Sequence, residues 1–495
     1  MIAAKLMMKV AGVCVLGLCV LGAAHRGLGE EITWDQARKM LRSGEGMSKP
    51  PALGAPVENA GNYGAEANPT GNPIGGGQGY SRVLTSGDHT VAGRQELLDA
   101  LEQAKAGQVV YVEPDAEIDL SGLVHVAIPD GVTLAGNRGQ DGAGGPLLFT
   151  SRMGESNYPF LFGTGNKSRV TGLRIEGPDP DYADYTDQTK AAAYAFGARA
   201  IATQGETEVD NCEISNFYRD GVAVNSKGVH VHHNFLHDIA AYPVVVGTRS
   251  GPPTLIEANV IHWGWHATAG SGTAGTGYEA RYNILEPHTI APPFGKVAHC
   301  LDQHPDIDIL RAGKLRVAGD SLEWHHNTIV LHGGSTDPDS TVAMKIRGTP
   351  RSLARVYNNW FQTTDVSQAL GLSFGNVWIY NNVYGPEKRA LAEITTRTTP
   401  QILLRSPKPP ELEPHPVRGK LALDVEVNVL EPLRLAGVLV KLDDAELFLQ
   451  PRAPRAGEVV IDTAELSEGA HKLAVSAIDH RGVLGTQEAH IDAAR

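Results

Sequence analysis

The sequence is short of cysteine, of basic residues and of long apolar runs, and each shortage excludes a class of protein. It has four cysteines, of which Cys14 and Cys19 fall in an N-terminal apolar stretch, so only Cys212 and Cys300 remain for one optional disulfide. A disulfide-stapled scaffold is therefore excluded. Lysine and arginine number 43 against 56 acidic residues, which argues against nucleic acid as a partner, since its binding depends on a basic surface. Beyond residue 21 no apolar run is long enough to cross a bilayer.

The first residues have the layout of a secretory signal. Lys5 and Lys9 precede an apolar run over residues 10–21, which ends in small residues. We therefore expect residues 1–29 to be a signal peptide and the mature protein to be secreted or periplasmic. Residues 30–71 are rich in Gly, Pro, Asn and Ala, and this composition predicts a flexible leader.

One amphipathic helix is predicted ahead of a long β-rich region. In QELLDALEQAKAG, Leu97, Leu98 and Leu101 fall on one helical face, and a glycine follows where the helix should end. A helix over about residues 94–106 would cover the exposed end of a stack of strands, which would otherwise pair with another molecule.

The middle of the chain repeats a short pattern. In VDNCEI, VHHNFL, IEANVI, ARYNIL, WHHNTI, VYNNWF and IYNNVY, an apolar residue is followed three positions later by Asn or Cys, and two positions further on by another apolar residue. The aligned residues Cys212, Asn234, Asn259 and Asn283 recur at intervals of about 22 to 25 residues, a period that predicts a solenoid of parallel strands. Stacked asparagines would hydrogen-bond along its axis at the bends. The predicted fold class is all-β, with a parallel β-helix over residues 72–395.

After residue 395 the composition changes. Six prolines between positions 400 and 416 predict a stiff, Pro-rich linker over residues 396–418. Alternating strand-like runs separated by turn residues then predict a small β-sandwich over residues 419–495. The sandwich carries no constellation of reactive residues, so a spacer or docking role is expected for it.

These features together carry a resemblance to a known family. The glycine-rich opening at 72–80, the amphipathic helix, the run DGVTLAGNRGQ and the asparagine-marked coils resemble the right-handed parallel β-helix of the pectin-lyase-like superfamily, and the tail resembles an immunoglobulin-like domain. MKIRGTPR is similar to the pectate lyase segment whose first arginine removes the proton α to a uronate carboxylate, and the resemblance places that role on Arg347. Asp210 and Asp220 match part of the family's calcium site, so the resemblance implies calcium as a cofactor.

The first candidate cluster is MKIRGTPR itself. Strand alternation places Lys345 and Arg347 outward together, where two cations could bind and neutralise a carboxylate. Neutralising that carboxylate lowers the acidity barrier of the adjacent carbon, which is the central requirement of β-elimination. An arginine acts as a base only in a cation-crowded setting, which Lys345 and Arg351 could supply. The alternative is an ordinary charged outer face.

The second candidate cluster is HCLDQH. Regular alternation puts His299 on one face and both Asp302 and His304 on the other, although a bend would bring His299 round. Asp302 and His304 could form an acid/base pair or supply two ligands to a metal site. A solvated or ladder-forming role is the alternative.

The third candidate cluster is HWGWHATAGSGTAGTGYEARYN. Trp263 and Trp265 could stack on sugar rings next to His266, while Glu279 and Arg281 alternate outward from their strand. These five residues are therefore candidates for binding substrate. Tryptophans packed inside a loop are the alternative.

A shared groove would unite the clusters. Since coils of a β-helix stack about 4.8 Å apart, coils centred near 259, 283, 302, 327 and 347 would form one lateral groove of about 20 Å. The leading hypothesis is a secreted, monomeric polysaccharide lyase acting on an anionic, uronate-containing polymer. A glycoside hydrolase is the first alternative and needs two carboxylates about 5 to 9.5 Å apart, for which Glu257, Glu279 and Asp302 are candidates. The second alternative is a non-catalytic carbohydrate-binding or cell-surface protein.

Overall fold

The computed structural model describes residues 31–46, 53–179, 197–287, 298–308, 317–330, 343–372, 377–391, 400–406, 418–429 and 434–493. The predicted signal peptide, 1–29, lies outside these residues, as does most of the predicted linker, 396–418. The described residues form 40 strands, numbered β1 to β40 in chain order, and few helices. No helix in this part of the chain is long and apolar enough to cross a membrane.

Three long sheets of mainly parallel strands account for the strands up to residue 391. From β3 to β31 successive strands visit the three sheets in turn, so neighbouring parallel strands of a sheet are one coil apart. Sheet A contains β1 (Leu53–Pro56), β4 (Glu117–Asp119), β7 (Leu147–Phe149), β10 (Arg174–Glu176), β13 (Glu213–Ser215), β16 (Phe235–Ile239), β19 (Val260–Gly264), β22 (Ile284–Glu286), β25 (Thr328–Ile329), β28 (Trp360–Phe361), β31 (Val383–Tyr384) and β32 (Arg389–Leu391). Sheet B contains β2 (His89–Val91), β3 (Val109–Val112), β6 (Thr133–Ala135), β9 (Arg169–Thr171), β12 (Glu208–Asp210), β15 (His230–His232), β18 (Leu255–Glu257), β21 (Gly277–Arg281), β24 (Ser321–His325), β27 (Ala354–Tyr357) and β30 (Val377–Tyr380). Sheet C contains β5 (Val126–Ile128), β8 (Phe160–Thr164), β11 (Arg199–Thr203), β14 (Asp220–Val224), β17 (Tyr242–Val246), β20 (His266–Gly270), β23 (His299–Gln303), β26 (Met344–Ile346) and β29 (Leu370–Leu372). The arrangement is consistent with a parallel β-helix.

The bend from sheet B to sheet A explains the repeated asparagines. Its first residue adopts a left-handed conformation, as His233 does with φ 53°, and its second residue turns inward. Asn234 donates from Nδ2 to Asn259 Oδ1, and Asn259 donates to Asn283 Oδ1, each over 3.0 Å. The predicted stacking of these asparagines is confirmed, and the ladder continues through Asn327, Asn359 and Asn382.

Inward-facing side chains of the three sheets form one continuous apolar core. Cys212 and Cys300 are both free, buried thiols within it, so the optional disulfide is not formed. Burial raises the pKa of the Cys212 thiol to about 12, which makes this cysteine a packing residue and not a reactive one. The largest fully buried side chains include Trp324, Tyr278, Phe162, Phe217 and Phe361.

The predicted flexible leader, 30–71, differs from the structure. Helix α1 (Trp34–Ser43) begins with a capping box, and β1 pairs antiparallel with β32 at the last coil. The apolar face of α1 packs against Leu439 and Ile478 of the C-terminal region. The composition concealed this structure because the partner surface of α1 lies about 400 residues later in the sequence, where no local pattern points to it.

The predicted amphipathic helix is present as α2 (Arg94–Gln103), and its Leu97, Ala100 and Leu101 are buried in the main core. Glu96 accepts hydrogen bonds from two backbone N–H groups at the start of the helix. The helix contacts β2, β3 and β5, which are the first strands of sheets B and C. The remaining helices are α3 (Val366–Ala369) and 3-10 turns at Ala60–Asn62, Ala65–Ala67, Gln140–Gly142 and Thr463–Glu465.

The C-terminal region forms antiparallel sheets around a second apolar core. Its strands are β33 (Gln401–Ser406), β34 (Lys420–Ala422), β35 (Asp424–Asn428), β36 (Leu435–Leu442), β37 (Ala445–Gln450), β38 (Val460–Asp462), β39 (Gly469–Asp479) and β40 (Leu484–Ala493). Strand β33 lies inside the predicted linker 396–418 and pairs with β35. The linker prediction therefore fails at this strand, because the buried side chains of Ile402 and Leu404 outweigh the prolines that flank them.

Candidate active site on sheet C

Strand β23 bends in its middle, and the bend creates the site. Cys300 and Leu301 are consecutive residues that both pack into the core. His299 and Asp302, on either side of them, therefore both lie on the outer face, and the ring of His299 stacks on His266 of the neighbouring strand with centroids 4.8 Å apart. The structure therefore lacks the regular strand alternation that would place His299 and Asp302 on opposite faces. It has instead the bend that brings His299 to the same face as Asp302.

Asp302 is the centre of the cluster. Its side chain is fully buried and accepts two hydrogen bonds from Arg347, from Nε to Oδ1 at 2.8 Å and from Nη2 to Oδ2 at 2.6 Å. His304 Nε2 lies 2.9 Å from Oδ2, but the N–H points off the line of a good hydrogen bond, so this contact is mainly electrostatic. Burial alone would raise the pKa of Asp302, but the contact with His304 and the two hydrogen bonds from the Arg347 guanidinium favour the ionised form, and the pKa lies well below its usual range. Asp302 is therefore ionised at neutral pH.

His266 is held in one neutral tautomer. Its side chain is fully buried, and burial lowers its pKa well below the usual range although Asp302 opposes that shift. Nδ1 lies 2.9 Å from the carbonyl oxygen of Trp265, which can only accept, so Nδ1 carries the proton. Nε2 is then the acceptor for Arg347 Nη2 at 3.2 Å. His266 therefore helps to position the guanidinium group.

His304 is the imidazole of the cluster that solvent reaches, since 32 % of its side chain is exposed. Its buried Nε2 faces the Asp302 carboxylate and must carry the proton there, because a lone pair would repel the carboxylate oxygen. Nδ1 is then free to accept a proton. A carboxylate behind an imidazole stabilises the imidazolium that forms, so His304 is the residue best placed to act as a base.

Aromatic side chains border the cluster. The Trp265 ring stacks on His266 with centroids 4.1 Å apart, and Tyr242 lies 5.8 Å from Trp265. Tyr242 was not predicted from the sequence. It lies in register with Asp220 on the adjacent strand of sheet C and beside His266, so it would have been found by aligning the sheet C strands with one another.

The other two cations of MKIRGTPR lie in different surroundings. Lys345 is half-buried and lies opposite Asp302 in register. Arg351 donates from Nη2 to Asp306 Oδ2 at 3.1 Å and from Nη1 to a backbone carbonyl, so it joins two loops. Arg351 is thus hydrogen-bonded to the carboxylate of Asp306, as Arg347 is to the carboxylate of Asp302. A basic arginine needs a cation-crowded setting, whereas the nearest charged partner of Arg347 is the Asp302 carboxylate, to which it donates two hydrogen bonds.

Glu279 and Arg281, predicted to bind substrate, lie on sheet B and not on sheet C. Arg281 donates to Glu257 at 2.6 Å and to Glu279 at 2.7 Å. Burial alone would raise the pKa of Glu257, but His230 and Arg281 lower it to about 2. The pKa of Glu279 is also lowered, chiefly by its hydrogen bond with His325. A glycoside hydrolase needs one carboxyl group with a raised pKa to act as the acid, so this pair does not suit that chemistry.

The single lateral groove predicted from the coil spacing is not formed. Positions 259, 283 and 327 are ladder asparagines at the bend between sheets B and A, whereas Asp302 and Arg347 meet at sheet C. Trp263 lies on strand β19 of sheet A, where its ring contacts the His262 ring edge-on with centroids 5.2 Å apart. The reason is the three-sided coil, in which a shift of a few residues along the chain moves a side chain to another face.

The structure does not bring together Asp210 and Asp220, the two predicted calcium ligands. Asp210 lies on β12 of sheet B and accepts two hydrogen bonds from Arg169, at 2.7 and 2.6 Å. Asp220 lies on β14 of sheet C and accepts one from Arg199 at 2.7 Å. Calcium needs several oxygen ligands converging on one point, and two carboxylates on different sheets, each facing a guanidinium group, do not supply them.

Two groups within the described ranges place donor atoms close enough for a metal ion. They are His266, Asp302 and His304 on sheet C, and Glu208, His230 and His232 on sheet B. In both groups a guanidinium already contacts the carboxylate, Arg347 on Asp302 and Arg82 on Glu208. That positive charge opposes a divalent cation, so the sheet C group is better suited to proton transfer than to metal binding.

Comparison of the chain with family models, with curated proteins and with solved structures finds no match. The fold and the site nevertheless define a class. The protein is an all-β chain of long parallel sheets, consistent with a β-helix, that carries an ionised carboxylate, an imidazole and a guanidinium group clustered on one outer face.

Proposed function

We propose that the protein is a polysaccharide lyase that cleaves a uronate-containing polysaccharide by β-elimination on the outer face of sheet C. The observation that carries the proposal is the buried Asp302, which binds Arg347 by two hydrogen bonds and faces the partly exposed His304. These residues supply the two things that β-elimination requires, a base and a positive charge for the carboxylate next to the acidic carbon.

In the proposed reaction Nδ1 of His304 takes the proton from the carbon α to the uronate carboxylate. The electron pair of that C–H bond forms a carbon–carbon double bond, and the C–O bond to the leaving sugar breaks. Asp302 stabilises the imidazolium that results. The leaving oxygen takes up a proton, for which Tyr242 is a candidate donor, because its ring lies 6.2 Å from the His304 ring and a phenol hydroxyl carries a proton at neutral pH.

The charge of the cluster favours an anionic substrate. Arg347 and Lys345 place two positive charges at the cluster, where Asp302 is the carboxylate that Arg347 binds and the buried His266 is neutral. We assign to Arg347 and Lys345 the binding of the uronate carboxylate. This replaces the role of base, because the bidentate contact with Asp302 stabilises the charged form of the Arg347 guanidinium.

The wider setting is part of the same proposal. It includes secretion or export to the periplasm, a right-handed helix of the pectin-lyase-like kind with α2 as its cap, and action as a monomer. The C-terminal sheets would be an immunoglobulin-like module that spaces or docks the catalytic part. The expectation of export derives from the signal-like layout of residues 1–29, and the right-handed pectin-lyase-like assignment and the immunoglobulin-like module derive from the sequence resemblance.

The test is a screen of pectate, alginate and glycosaminoglycans, each with and without calcium, read by the ultraviolet absorbance of the unsaturated uronate product. His304→Ala should lower turnover at least about a hundredfold, the usual scale of a lost acid/base group. His230→Ala is the matched control, because His230 has the same 32 % exposure and lies 3.2 Å from Glu257, but on sheet B. It should keep wild-type turnover.

The alternatives give different results in the same screen. New reducing ends without an absorbing product would indicate a glycoside hydrolase, and neither signal on any polymer would indicate a non-catalytic carbohydrate-binding protein. Equal turnover in the His304→Ala and His230→Ala variants would remove His304 from the mechanism.

A further inference from the structure

A cleft of about 650 Å³ lies on sheet C, on the side of the His304 cluster that is nearer the N-terminus. We call it the Lys227 cleft. It is bordered by Tyr158 and by the strands β8 and β11, and by the turns that follow β11, β14 and β17. The side chains used below are Tyr158, Gln204, Asn225, Lys227 and Arg249.

The charge of this cleft is opposite to that of the chain. The whole sequence has 43 basic and 56 acidic residues, yet among the described residues that line the cleft Lys227 and Arg249 are basic and none is acidic. Both cations are exposed, and within the described ranges neither is ion-paired with a carboxylate. Two unneutralised cations in a concave site attract an anion, because the cleft walls reduce screening by water.

One wall of the cleft is an aromatic ring held in a fixed orientation. Tyr158 is 43 % exposed, and the guanidinium of Arg199 lies 3.6 Å from its ring centroid. Arg199 is itself fixed by hydrogen bonds to Asp220 and to the backbone of Gly197, each at 2.7 Å. A pre-positioned ring beside cations and amide side chains suits a sugar, whose C–H face packs on the ring while its polar groups are bound at the edge.

The cleft and the His304 cluster share one edge of the sheet. Register pairs link Ala202, Ala223 and Val245, and continue through Ala269 to Asp302. Gln204 and Asn225 of the cleft each lie two residues after a member of this row of register pairs. His304 and Arg347 of the cluster likewise lie two residues after Asp302 and its register partner Lys345. Strand β14 is three strands from β23 in the sheet, so the two sites are about 15 Å apart along the helix axis at the usual strand spacing.

We propose that the Lys227 cleft is a distal subsite for a second carboxylate-bearing sugar unit of the same chain that reaches His304. The choice of a uronate as ligand rests on the proposed function, and the second subsite restricts the substrate further. The substrate is a polyanion with uronate units separated by the span between the two sites, and a single uronate next to the cleaved bond is not sufficient for full affinity.

The experiment measures binding apart from turnover. Full-length protein carrying His304→Ala is titrated calorimetrically with hexamers of galacturonate and of mannuronate, with cellohexaose as the neutral probe. Lys227→Gln combined with Arg249→Gln should raise the Kd of the uronate hexamer that binds by about two- to thirtyfold, since two exposed charge contacts are lost. It should also weaken the salt dependence of that Kd. Lys105→Gln, which removes an exposed cation beside α2, is the matched control and should change neither.

The results separate this inference from the proposed function. An unchanged Kd in the double variant, or no binding of either uronate hexamer below about 1 mM, overturns the subsite. Loss of hexamer binding in the double variant while no polymer is cleaved supports the subsite and contradicts the lyase. In an active protein the double variant should raise KM and leave kcat unchanged, and an unchanged KM also overturns the subsite. Tyr158→Ala should likewise weaken hexamer binding without altering the urea midpoint.

Discussion

Asp302→Asn tests whether the central carboxylate serves chemistry or only stability. The substitution keeps the shape of the side chain and removes its charge. Arg347, at 2.6 and 2.8 Å, and His304, at 2.9 Å, then lose their counter-charge in a site where Asp302 has no exposed surface. Breaking a buried ion pair from one side costs about 3–5 kcal/mol. Because 28 % of the Arg347 side chain is exposed to water, we expect a loss of about 2–3 kcal/mol in the free energy of unfolding.

Asp210→Asn is the matched control for this prediction. Asp210 is also fully buried and accepts two hydrogen bonds from a single arginine, Arg169, at 2.7 and 2.6 Å, but it lies on sheet B. We expect a similar loss of stability in both variants, measured by urea unfolding with tryptophan fluorescence. The control therefore separates the cost of a broken ion pair from any effect on catalysis.

Turnover distinguishes the two carboxylates. Without the Asp302 charge, the imidazolium of His304 is less stable, so turnover of Asp302→Asn should fall at least about a hundredfold. Asp210→Asn should keep wild-type turnover on the same polymer. If both variants lose the same stability and both keep their turnover, the contact between Asp302 and Arg347 is a structural ion pair and the proposed base has no carboxylate support.

Two other predictions concern stability. His237 lies 2.6 Å from Asp238 and 3.5 Å from Glu213; burial alone would lower its pKa, but the two carboxylates raise it to about 9. The folded state therefore favours the protonated ring, and this stabilisation of about 3 kcal/mol is complete below about pH 6.5 and is lost as the pH rises to about 9. His237→Gln should remove that decline in the urea midpoint, and an equally steep decline in the variant would refute the assignment. A chain truncated near residue 400 leaves the apolar face of α1 without its partner surface. We therefore expect that chain to self-associate, whereas a chain that also lacks residues 31–46 should be monomeric and active. Gel filtration showing both truncated chains to be equally monomeric would contradict this.

Much of the fold could be predicted from the sequence because a coiled stack of strands repeats its local rules. The asparagines at 234, 259 and 283 are spaced by one coil each, and the residue before each of them adopts a left-handed conformation. A regular spacing of that kind is visible in one sequence. Helix α2 was equally visible, since its buried residues follow the helical period. Helix α1 was not, because the surface it packs against is far away in the sequence.

The candidate site was predictable only in its parts. Asp302, His304 and Arg347 were identified as candidates, but Glu279 and Arg281 were grouped with them and lie on another sheet. The number of residues in each bend decides which of three faces a strand occupies, and that number varies from coil to coil. Sequence spacing alone therefore cannot tell on which of the three faces of the coil a side chain lies.

The sequence by itself determined the class of fold, the residue types available for chemistry and the excess of acidic residues. Only the tertiary structure decided that Asp302 and Arg347, 45 residues apart, form an ion pair on sheet C. The physical reason is that protonation and ion pairing depend on burial and on neighbours from adjacent coils. In a coiled stack those neighbours lie one coil apart in space and at irregular distances along the chain.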